Sequence, residues 1–312
     1  MAAICVLEKK VDVADGAMPS SPAMQIAIRN ILVATDFTSA SFKPSRYAIG
    51  LARWYGSKLY LVHVVEHPRF APHGSHPIDE AVVVALEEGE TLERQLTKLA
   101  PLAAIDHALI VKDGEVCEEV LGTVSSEAVD LVVIGTHGRT GIKKLVLGST
   151  AEKIFRNALC PVLTVGPNVR IPRSPGAEPT HILVPTDFSP ASRFALQYAR
   201  FITRQHNAKL TLLNVLDGPI TSDVQQLLRS SRAGLRDFAA EEGLLTFGPE
   251  LVTRAGLVVK TILSFARKEH VDLIVLGVRS AAGLKDHAMW PNAYRIVCGA
   301  PCPVLTVRDH QV

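Results

Sequence analysis

Short apolar runs alternate along the chain with longer amphipathic segments. The apolar runs have the length of strands, and the amphipathic segments have the length and period of helices. In the segment 130–135 the residues after Asp130 are continuously apolar, which is typical of a strand covered by helices on both faces of its sheet. In the first half of the chain, strands are predicted at 31–35, 58–65, 105–111, 130–135 and 161–165, and helices at 39–56, 78–100, 114–127 and 149–158.

The second half of the chain repeats the first. Residues 31–37 read ILVATDF and residues 182–188 read ILVPTDF, an offset of 151 positions. Residues 160–165 recur as residues 302–307 at an offset of 142 rather than 151, so the second copy is nine residues shorter in its middle. A repeat that preserves both ends indicates two copies of one fold. In the second copy, elements are predicted at 181–186, 190–206, 208–216, 221–242, 250–254, 257–269, 272–277, 292–298 and 303–307.

This order of elements predicts an α/β protein with two tandem domains, each a doubly wound sheet of five parallel strands with right-handed crossovers. The last strand of each domain is apolar, and an apolar edge strand is a liability unless it is paired. We therefore expect Pro161–Val165 and Pro303–Val307 to bring the domains together. The chain divides into a tail at 1–27, a first domain at 28–166, a proline-rich linker at 167–180 and a second domain at 181–308.

Composition and charge narrow the classes of function. The 312 residues are 47% hydrophobic, which argues for packed cores rather than general disorder. The net charge is +2 and no long basic run is present, so we do not expect binding to nucleic acid through bulk charge. Five cysteines without metal-type spacing favour a reducing compartment. Neither a membrane span nor a signal peptide is recognised, so a cytoplasmic protein without membrane contact is expected.

A glycine-rich segment follows the fourth predicted strand. It begins at Gly135 and Gly138, and after nine residues it continues with Gly148, Ser149 and Thr150 at a predicted helix start. Glycine at a strand exit lets the backbone approach a ligand closely. The helix start offers free N–H groups, two hydroxyls and the positive end of the helix dipole, which together favour an anion. The loop between carries three basic residues that are candidates to face a polyphosphate: Arg139, Lys143 and Lys144.

The first domain resembles the universal stress protein (UspA) family of the ATP-binding type, whose motif is Gly-x2-Gly-x9-Gly-(Ser/Thr). The match to that motif is complete, and it is supported by Val33–Phe37, by Leu61–Val64 and by Cys160–Val165. Four motifs in the expected order are much more specific than glycines alone. The resemblance implies an adenine nucleotide alpha hydrolase-like, Rossmann-like fold. Because the last strands form the dimer contact in that family, it also implies an internal pseudo-dimer, with further association into a homodimer left open.

The resemblance also implies a set of nucleotide-binding residues. The loop after the first strand and the backbone of the second strand would hold the adenine and ribose, and the glycine-rich segment would hold the phosphates. Mg²⁺ or Mn²⁺ would be carried largely by the phosphates, and no residue is assigned as a metal ligand or as catalytic. The implied binding residues are Ala34, Thr35, Asp36, Val64, Gly135, Thr136, His137, Gly138, Arg139, Gly148, Ser149 and Thr150.

The same residues can also be explained by purely structural roles, and other functions stay open beside ATP binding. The glycines suit a tight turn, and Asp36 or Ser149 suits a helix cap. His137 suits a loop residue rather than a catalytic base, because no carboxylate adjoins it in sequence. The leading hypothesis is an ATP-binding stress-response protein whose nucleotide controls conformation or an unknown protein partner. The alternatives are a slow Mg- or Mn-dependent ATPase, disfavoured by the lack of a phosphate-loop lysine motif, and a nucleotide-independent scaffold.

The second domain departs from the nucleotide motif. The first glycine of the motif survives there as Gly277, whereas the later glycine and serine are replaced by Trp290 and Pro291. Proline suits the first turn of a helix but removes a backbone N–H, and the indole ring would occupy the place of a phosphate. We therefore expect weak ATP binding or none in this domain, with Trp290 filling the cavity or packing in the interface.

Two other groups of residues give weaker indications of a specific chemical role. The histidines at 63, 67, 73 and 76 lie along the second strand and the following loop, where a transition-metal site is one interpretation. Their spacing fits no standard zinc pattern, so a solvated loop is favoured. Cys160 and Cys302 occupy equivalent positions and would approach each other in a pseudo-dimer, but reduced structural thiols are expected in the cytoplasm.

Overall fold

The fold is known from a computed structural model of the chain. The structure describes residues 26–36, 41–65, 87, 94, 105–136, 147–170, 178–218, 224–279 and 291–308. We call residues 28–166 unit one and residues 181–308 unit two.

Each unit alternates strands with helices. In unit one the strands are β1 (Asn30–Ala34), β2 (Lys58–Val65), β3 (His107–Asp113), β4 (Leu131–Gly135) and β5 (Val162–Val165), and the helices are α1 (Phe42–Tyr55), α2 (Val116–Ser126) and α3 (Ser149–Asn157). In unit two the strands are β6 (His181–Thr186), β7 (Lys209–Leu216), β8 (Glu250–Ala255), β9 (Leu273–Val278) and β10 (Val304–Arg308). The helices of unit two are α4 (Pro190–His206), α5 (Val224–Glu241), α6 (Val258–Lys268) and α7 (Pro291–Gly299).

The predicted α/β class is confirmed, and the predicted elements differ from the observed ones mainly at their ends. The first helix begins at Phe42 rather than at 39, and β3 starts two residues later than predicted, at His107. The helix predicted at 78–100 lies outside the described residues apart from positions 87 and 94. Hydrophobic periodicity locates the middle of an element better than its ends, which depend on capping and on local hydrogen bonds.

All ten strands belong to one sheet, in the order β3-β2-β1-β4-β5-β10-β9-β6-β7-β8. The strands within each unit are parallel, whereas β5 and β10 pair antiparallel. The two five-stranded halves are therefore continuous rather than separate sheets. Leu163 pairs with Leu305, and these residues are equivalent in the repeat, so an approximate twofold axis passes through this pair. We call the β5–β10 pair and the helices beside it the seam.

The core lies in two layers, because successive side chains of a strand point to opposite faces of the sheet. On the first face, Ile31 and Leu305 belong to a cluster that packs beneath helices that include α1 and α4. On the second face, Leu32 and Val304 belong to a cluster that packs beneath α2, α3, α6 and α7. Each cluster contains residues of both units, so the hydrophobic core crosses the seam without a break.

The first residues of the predicted linker are held against unit one. The ammonium group of Lys43 donates hydrogen bonds to the carbonyls of Pro167 (2.8 Å) and Val169 (3.1 Å). The hydroxyl of Tyr47 donates to the carbonyl of Arg170 at 2.8 Å, and Val169 is buried. This end of the linker is therefore packed on α1 and is not a free spacer. Residues 171–177 lie outside the described residues.

The four described cysteines, Cys117, Cys160, Cys298 and Cys302, all carry free thiols. Burial raises the pKa of both Cys160 and Cys302 to about 12, so these thiols stay protonated near neutral pH. Protonated, buried thiols act as small apolar groups rather than nucleophiles. Within the described ranges, no helix is both long and apolar enough to cross a bilayer.

Candidate functional site

The described site residues of unit one converge at one edge of the sheet. β1 lies between β2 and β4, and the three strands are parallel, so the residues that follow them leave the sheet on the same side. Gly148 is tied to this edge because its N–H donates to the carbonyl of Thr136 at 2.9 Å. The strand order reverses between β1 and β4, and open α/β sheets bind ligands in the crevice at such a switch point.

The start of α3 has the features of an anion site. Gly148 is the N-cap residue, and among the described residues no side chain caps this helix. The first N–H groups of a helix have no partner within the helix, so here they can bind an anion together with the hydroxyls of Ser149 and Thr150. In contrast, the carboxylate of Glu115 caps α2, and the hydroxyl of Ser189 caps α4.

The glycine at position 148 is not required by backbone conformation. Its φ of −59° and ψ of 150° are open to any residue. A Cβ added there would contact the carbonyl of Thr136 at 3.7 Å, which is an ordinary van der Waals distance. What glycine contributes is the space that a larger side chain would take from a ligand at the start of α3.

Asp36 is positioned by the helix that follows it. The hydroxyl of Ser41 donates to Asp36 Oδ1 at 2.7 Å. The same bond exists in unit two, where Ser192 donates to Asp187 Oδ1, also at 2.7 Å. Neither serine belongs to the predicted site residues, although the two serines align at the offset of 151 as the two aspartates do.

His63 links β1 to β2. Its Nδ1 lies 2.8 Å from the carbonyl of Thr35, and because a carbonyl only accepts, Nδ1 is the donor. The equivalent residue in unit two, Asn214, donates to the carbonyl of Thr186, also at 2.8 Å. Among the described residues no group of three or more His, Cys, Asp or Glu is arranged to hold a metal ion, and positions 67, 73 and 76 lie outside them. His63 therefore fixes the end of β1, where Thr35 leads into Asp36.

The equivalent edge of unit two is closely packed. A Cβ added to Gly277 would lie 2.1 Å from the carbonyl oxygen of Ala191, so the start of α4 packs directly on β9. The carboxylate of Asp187 also accepts from the N–H of Ser189 at 3.1 Å. Burial by itself would raise the pKa of Asp187, but the hydrogen bonds from Ser189 and Ser192 outweigh it and hold the pKa below its usual value. The carboxylate is thus held by residues at the start of α4, and its bond to Ser192 matches the bond of Asp36 to Ser41.

Unit two also contacts the candidate site of unit one. The N–H of Leu147, the residue before Gly148, donates to the hydroxyl of Tyr294 on α7 at 3.0 Å. Leu147 itself is almost fully buried. No local motif signals this contact, because the two residues are 147 positions apart in the chain.

The remaining predicted site residues, His137, Gly138 and Arg139, lie outside the described residues, as do Lys143, Lys144 and Trp290. Their roles stay predictions. The described residues that the structure brings to the common edge are Thr35, Asp36, Val64, Gly135, Thr136, Gly148, Ser149 and Thr150, with Ala34 at the end of β1.

Comparison with known proteins identifies the two units. The universal stress protein family profile matches residues 27–166 and 179–308. A universal stress protein of Methanocaldococcus jannaschii is 29% identical over 138 residues, which cover 44% of this chain and 81% of that protein. Universal stress protein A homolog 2 of Coxiella burnetii is 33% identical over 140 residues, which cover 44% of this chain and 94% of that protein. These relatives each match about one unit.

The two-unit arrangement has a structural counterpart. The crystal structure of a universal stress protein from Archaeoglobus fulgidus superposes with a TM-score of 0.64 at 21% identity. The superposition covers 91% of this chain and 99% of that one. This likeness shows a shared fold across both units.

Proposed function

Because the chain belongs to the universal stress protein family, we propose that unit one binds ATP and that unit two binds it weakly or not at all. The observation that carries the proposal is the uncapped start of α3, held by the bond from Gly148 to Thr136 at the switch point of the sheet. Gly135 and Gly148 belong to a motif that is complete in the sequence of unit one and incomplete in that of unit two.

The described residues at the two ends of the crevice bind different parts of the nucleotide. The carboxylate of Asp36 accepts hydrogen bonds from the ribose, and the backbone of Val64 meets the adenine. The first N–H groups of α3, with Ser149 and Thr150, hold phosphate oxygens. Mg²⁺ or Mn²⁺ is then held by the phosphates and by water, which suits a cation that keeps much of its hydration shell.

Unit two has the same fold, but its role is to stabilise unit one rather than to bind a nucleotide. α7 begins with Pro291, which has no N–H to offer an anion. The antiparallel β5–β10 pair supports the inference of an internal pseudo-dimer, in which unit two stabilises unit one. The bound nucleotide then sets the conformation or the protein partner in a stress response. The protonated, buried thiols suit a cytoplasmic location.

Calorimetric titration of the full chain with Mg-ATP tests the proposal. One nucleotide per chain is expected. Gly148→Trp should abolish binding because the indole occupies the phosphate position, whereas Gly148→Ala should keep it because a Cβ fits there at 3.7 Å from Thr136. Binding by Gly148→Trp at the affinity of the natural chain would contradict the placement of the site.

A second pair of variants changes equivalent residues of the two units, so that the variant in unit two is the control for the variant in unit one. Asp36→Ala should weaken ATP binding by about tenfold or more, since a hydrogen bond to a charged group is lost. Asp187→Ala, the equivalent change in unit two, should leave the affinity unchanged. Equal losses in both variants would show that the nucleotide is not confined to unit one. Single-turnover assays with Mg²⁺ or Mn²⁺ separate binding from slow hydrolysis.

A further inference from the structure

A chain of hydrogen bonds joins the starts of three strands in unit two. His181 begins β6, and its Nε2 lies 2.8 Å from the hydroxyl of Thr211 on β7. That hydroxyl donates to Glu250 Oε2 on β8 at 3.0 Å, and the same oxygen pairs with the ammonium group of Lys209 at 2.8 Å. We call His181, Thr211 and Glu250 the relay. It stands where strands begin, whereas the candidate nucleotide site of unit one stands where strands end.

The relay runs from the interior to the surface. His181 is 7% exposed and Thr211 is fully buried, whereas the side chain of Glu250 is 44% exposed. The hydrogen bond from Lys209 holds the pKa of Glu250 below its usual value, with help from Thr211 and from the charge of His181, although burial opposes them. The carboxylate is therefore ionised near neutral pH and gives the relay a negative end that water reaches.

The relay can take up a proton without losing a hydrogen bond. Nδ1 of His181 lies 3.0 Å from the carbonyl of Glu269 at the end of α6, and because a carbonyl only accepts, Nδ1 is a donor. A threonine hydroxyl has one hydrogen, so Thr211 donates either to His181 or to Glu250. When the ring is neutral, Nε2 accepts that hydrogen. When the ring is protonated, Nε2 donates to the Thr211 oxygen, and the hydroxyl donates to Glu250.

The charged groups around the relay favour the added proton. Besides Glu250, the carboxylate of Asp272 before β9 accepts from the backbone N–H of His181 at 3.1 Å. Among the described residues, the cation that bonds to the relay is Lys209, and Glu250 already pairs with it. Glu269 is the C-cap residue of α6, so the negative end of this helix dipole also faces the ring. These negative groups compensate an imidazolium for the water that it loses on burial.

Unit one shows which part of this arrangement is structural. The equivalent of His181 is Asn30, whose Nδ2 donates to the carbonyl of Glu127 at the end of α2 at 3.1 Å. The other two relay positions hold Tyr60 and Ala108, which pair in the same register as their counterparts. Unit one therefore keeps the tie between the first strand and the helix, but it has neither the imidazole nor the carboxylate. The relay is an addition of unit two.

We propose that the relay is a proton-binding site, at which protonation of His181 reverses the Thr211 hydroxyl, completes a chain of donors to Glu250 and stabilises unit two. The proton comes from solvent. The folded unit then binds this proton more tightly than the unfolded chain does, so the stability of unit two rises as the pH falls through the histidine range of about pH 8 to 5. The gain is lost where Glu250 itself becomes protonated. The proposal does not depend on ATP binding.

Nuclear magnetic resonance titration of the full chain with isotope-labelled histidine tests the proposal. The His181 signal is the one that disappears in His181→Asn, which copies unit one. Thr211→Val keeps the shape of the side chain but leaves the Nε2–H of the imidazolium without an acceptor. We expect the midpoint of the His181 titration to fall by about one pH unit in this variant, because a hydrogen bond to a charged group is lost. Glu250→Gln, at an exposed position, should also lower it. Unchanged midpoints in both variants overturn the proposal.

Urea unfolding at about pH 5.5 and about pH 8, on the two sides of the histidine range, separates proton binding from packing. Thr211→Val should lower the urea midpoint more at the lower pH, whereas in the His181→Asn background it should lower it equally at both. Thr306→Val is the matched control, because this buried hydroxyl donates to the carbonyl of Val162, which does not titrate. A loss in Thr211→Val that is the same at both pH values contradicts the proposal.

Discussion

A single glycine shows how a residue retained from a motif can have a structural role. At Gly277 the backbone of α4 comes so close that an added Cβ would lie 2.1 Å from the carbonyl oxygen of Ala191. Backbone atoms at the start of a packed helix cannot move away as the end of a flexible side chain can.

Gly277→Ala should therefore lower the free energy of unfolding by about 3 kcal/mol, which is the upper end of the usual cost of overpacking. Urea unfolding followed by circular dichroism measures the change. Gly148→Ala is the matched control and should stay within about 1 kcal/mol of the natural chain, because its Cβ meets only the Thr136 carbonyl at 3.7 Å. Equal stability of Gly277→Ala and the natural chain would mean that α4 does not pack on β9 as described.

The two glycines also show what sequence can establish about single residues. The spacing of the motif predicted a phosphate cradle at Gly148, and the structure shows an uncapped helix start there. The motif could not indicate that Gly277 is needed for packing, because Ala191 approaches it from a different element. Ser41 was detectable in principle, since it aligns with Ser192 in the repeat as the two aspartates align.

At the scale of elements, α7 of unit two supports the start of α3 in unit one. Tyr294 accepts the N–H of Leu147, and the first turn of α3 follows directly. Tyr294→Phe removes this bond but keeps the ring, so we expect about three- to tenfold weaker ATP binding with little change in the unfolding temperature. Tyr198→Phe, on α4 of unit two, should leave ATP affinity unchanged. Calorimetric titration compares the variants, and unaltered affinity in Tyr294→Phe would show that α7 does not position the cradle.

At the scale of the whole molecule, the seam pairs two strands that would otherwise be exposed edges. In a fragment of residues 26–170, the edge of β5 that pairs with β10 would be exposed. Because Leu163 and Leu305 are related by the approximate twofold axis, the β5 strand of a second fragment can take the place of β10. We therefore expect this fragment to form dimers through antiparallel β5 pairing. Size-exclusion chromatography with light scattering measures its mass, and a stable monomer at high concentration would contradict this account of the seam.

The pattern of the chain predicted the two copies and their elements because periodicity and repeats are local properties. The continuity of the sheet and the contact between Tyr294 and Leu147 arise from distant residues. Leu163 and Leu305, for example, are 142 positions apart in the chain, and nothing near either residue specifies that they pair. Packing of whole elements determines such features, so they became visible only in the structure.

The contact between Tyr294 and Leu147 uses a tyrosine that unit one lacks at the equivalent position. The position equivalent to Tyr294 in unit one is Glu152, whose carboxylate pairs with Arg156 at 2.9 Å. In a dimer of identical chains every substitution enters both partners, so a change that helps one side of an interface is imposed on the other as well. In a tandem chain, each substitution changes only one of the two units. Its two units are therefore free to diverge, so that a side chain such as Tyr294 can serve one unit without being imposed on the other.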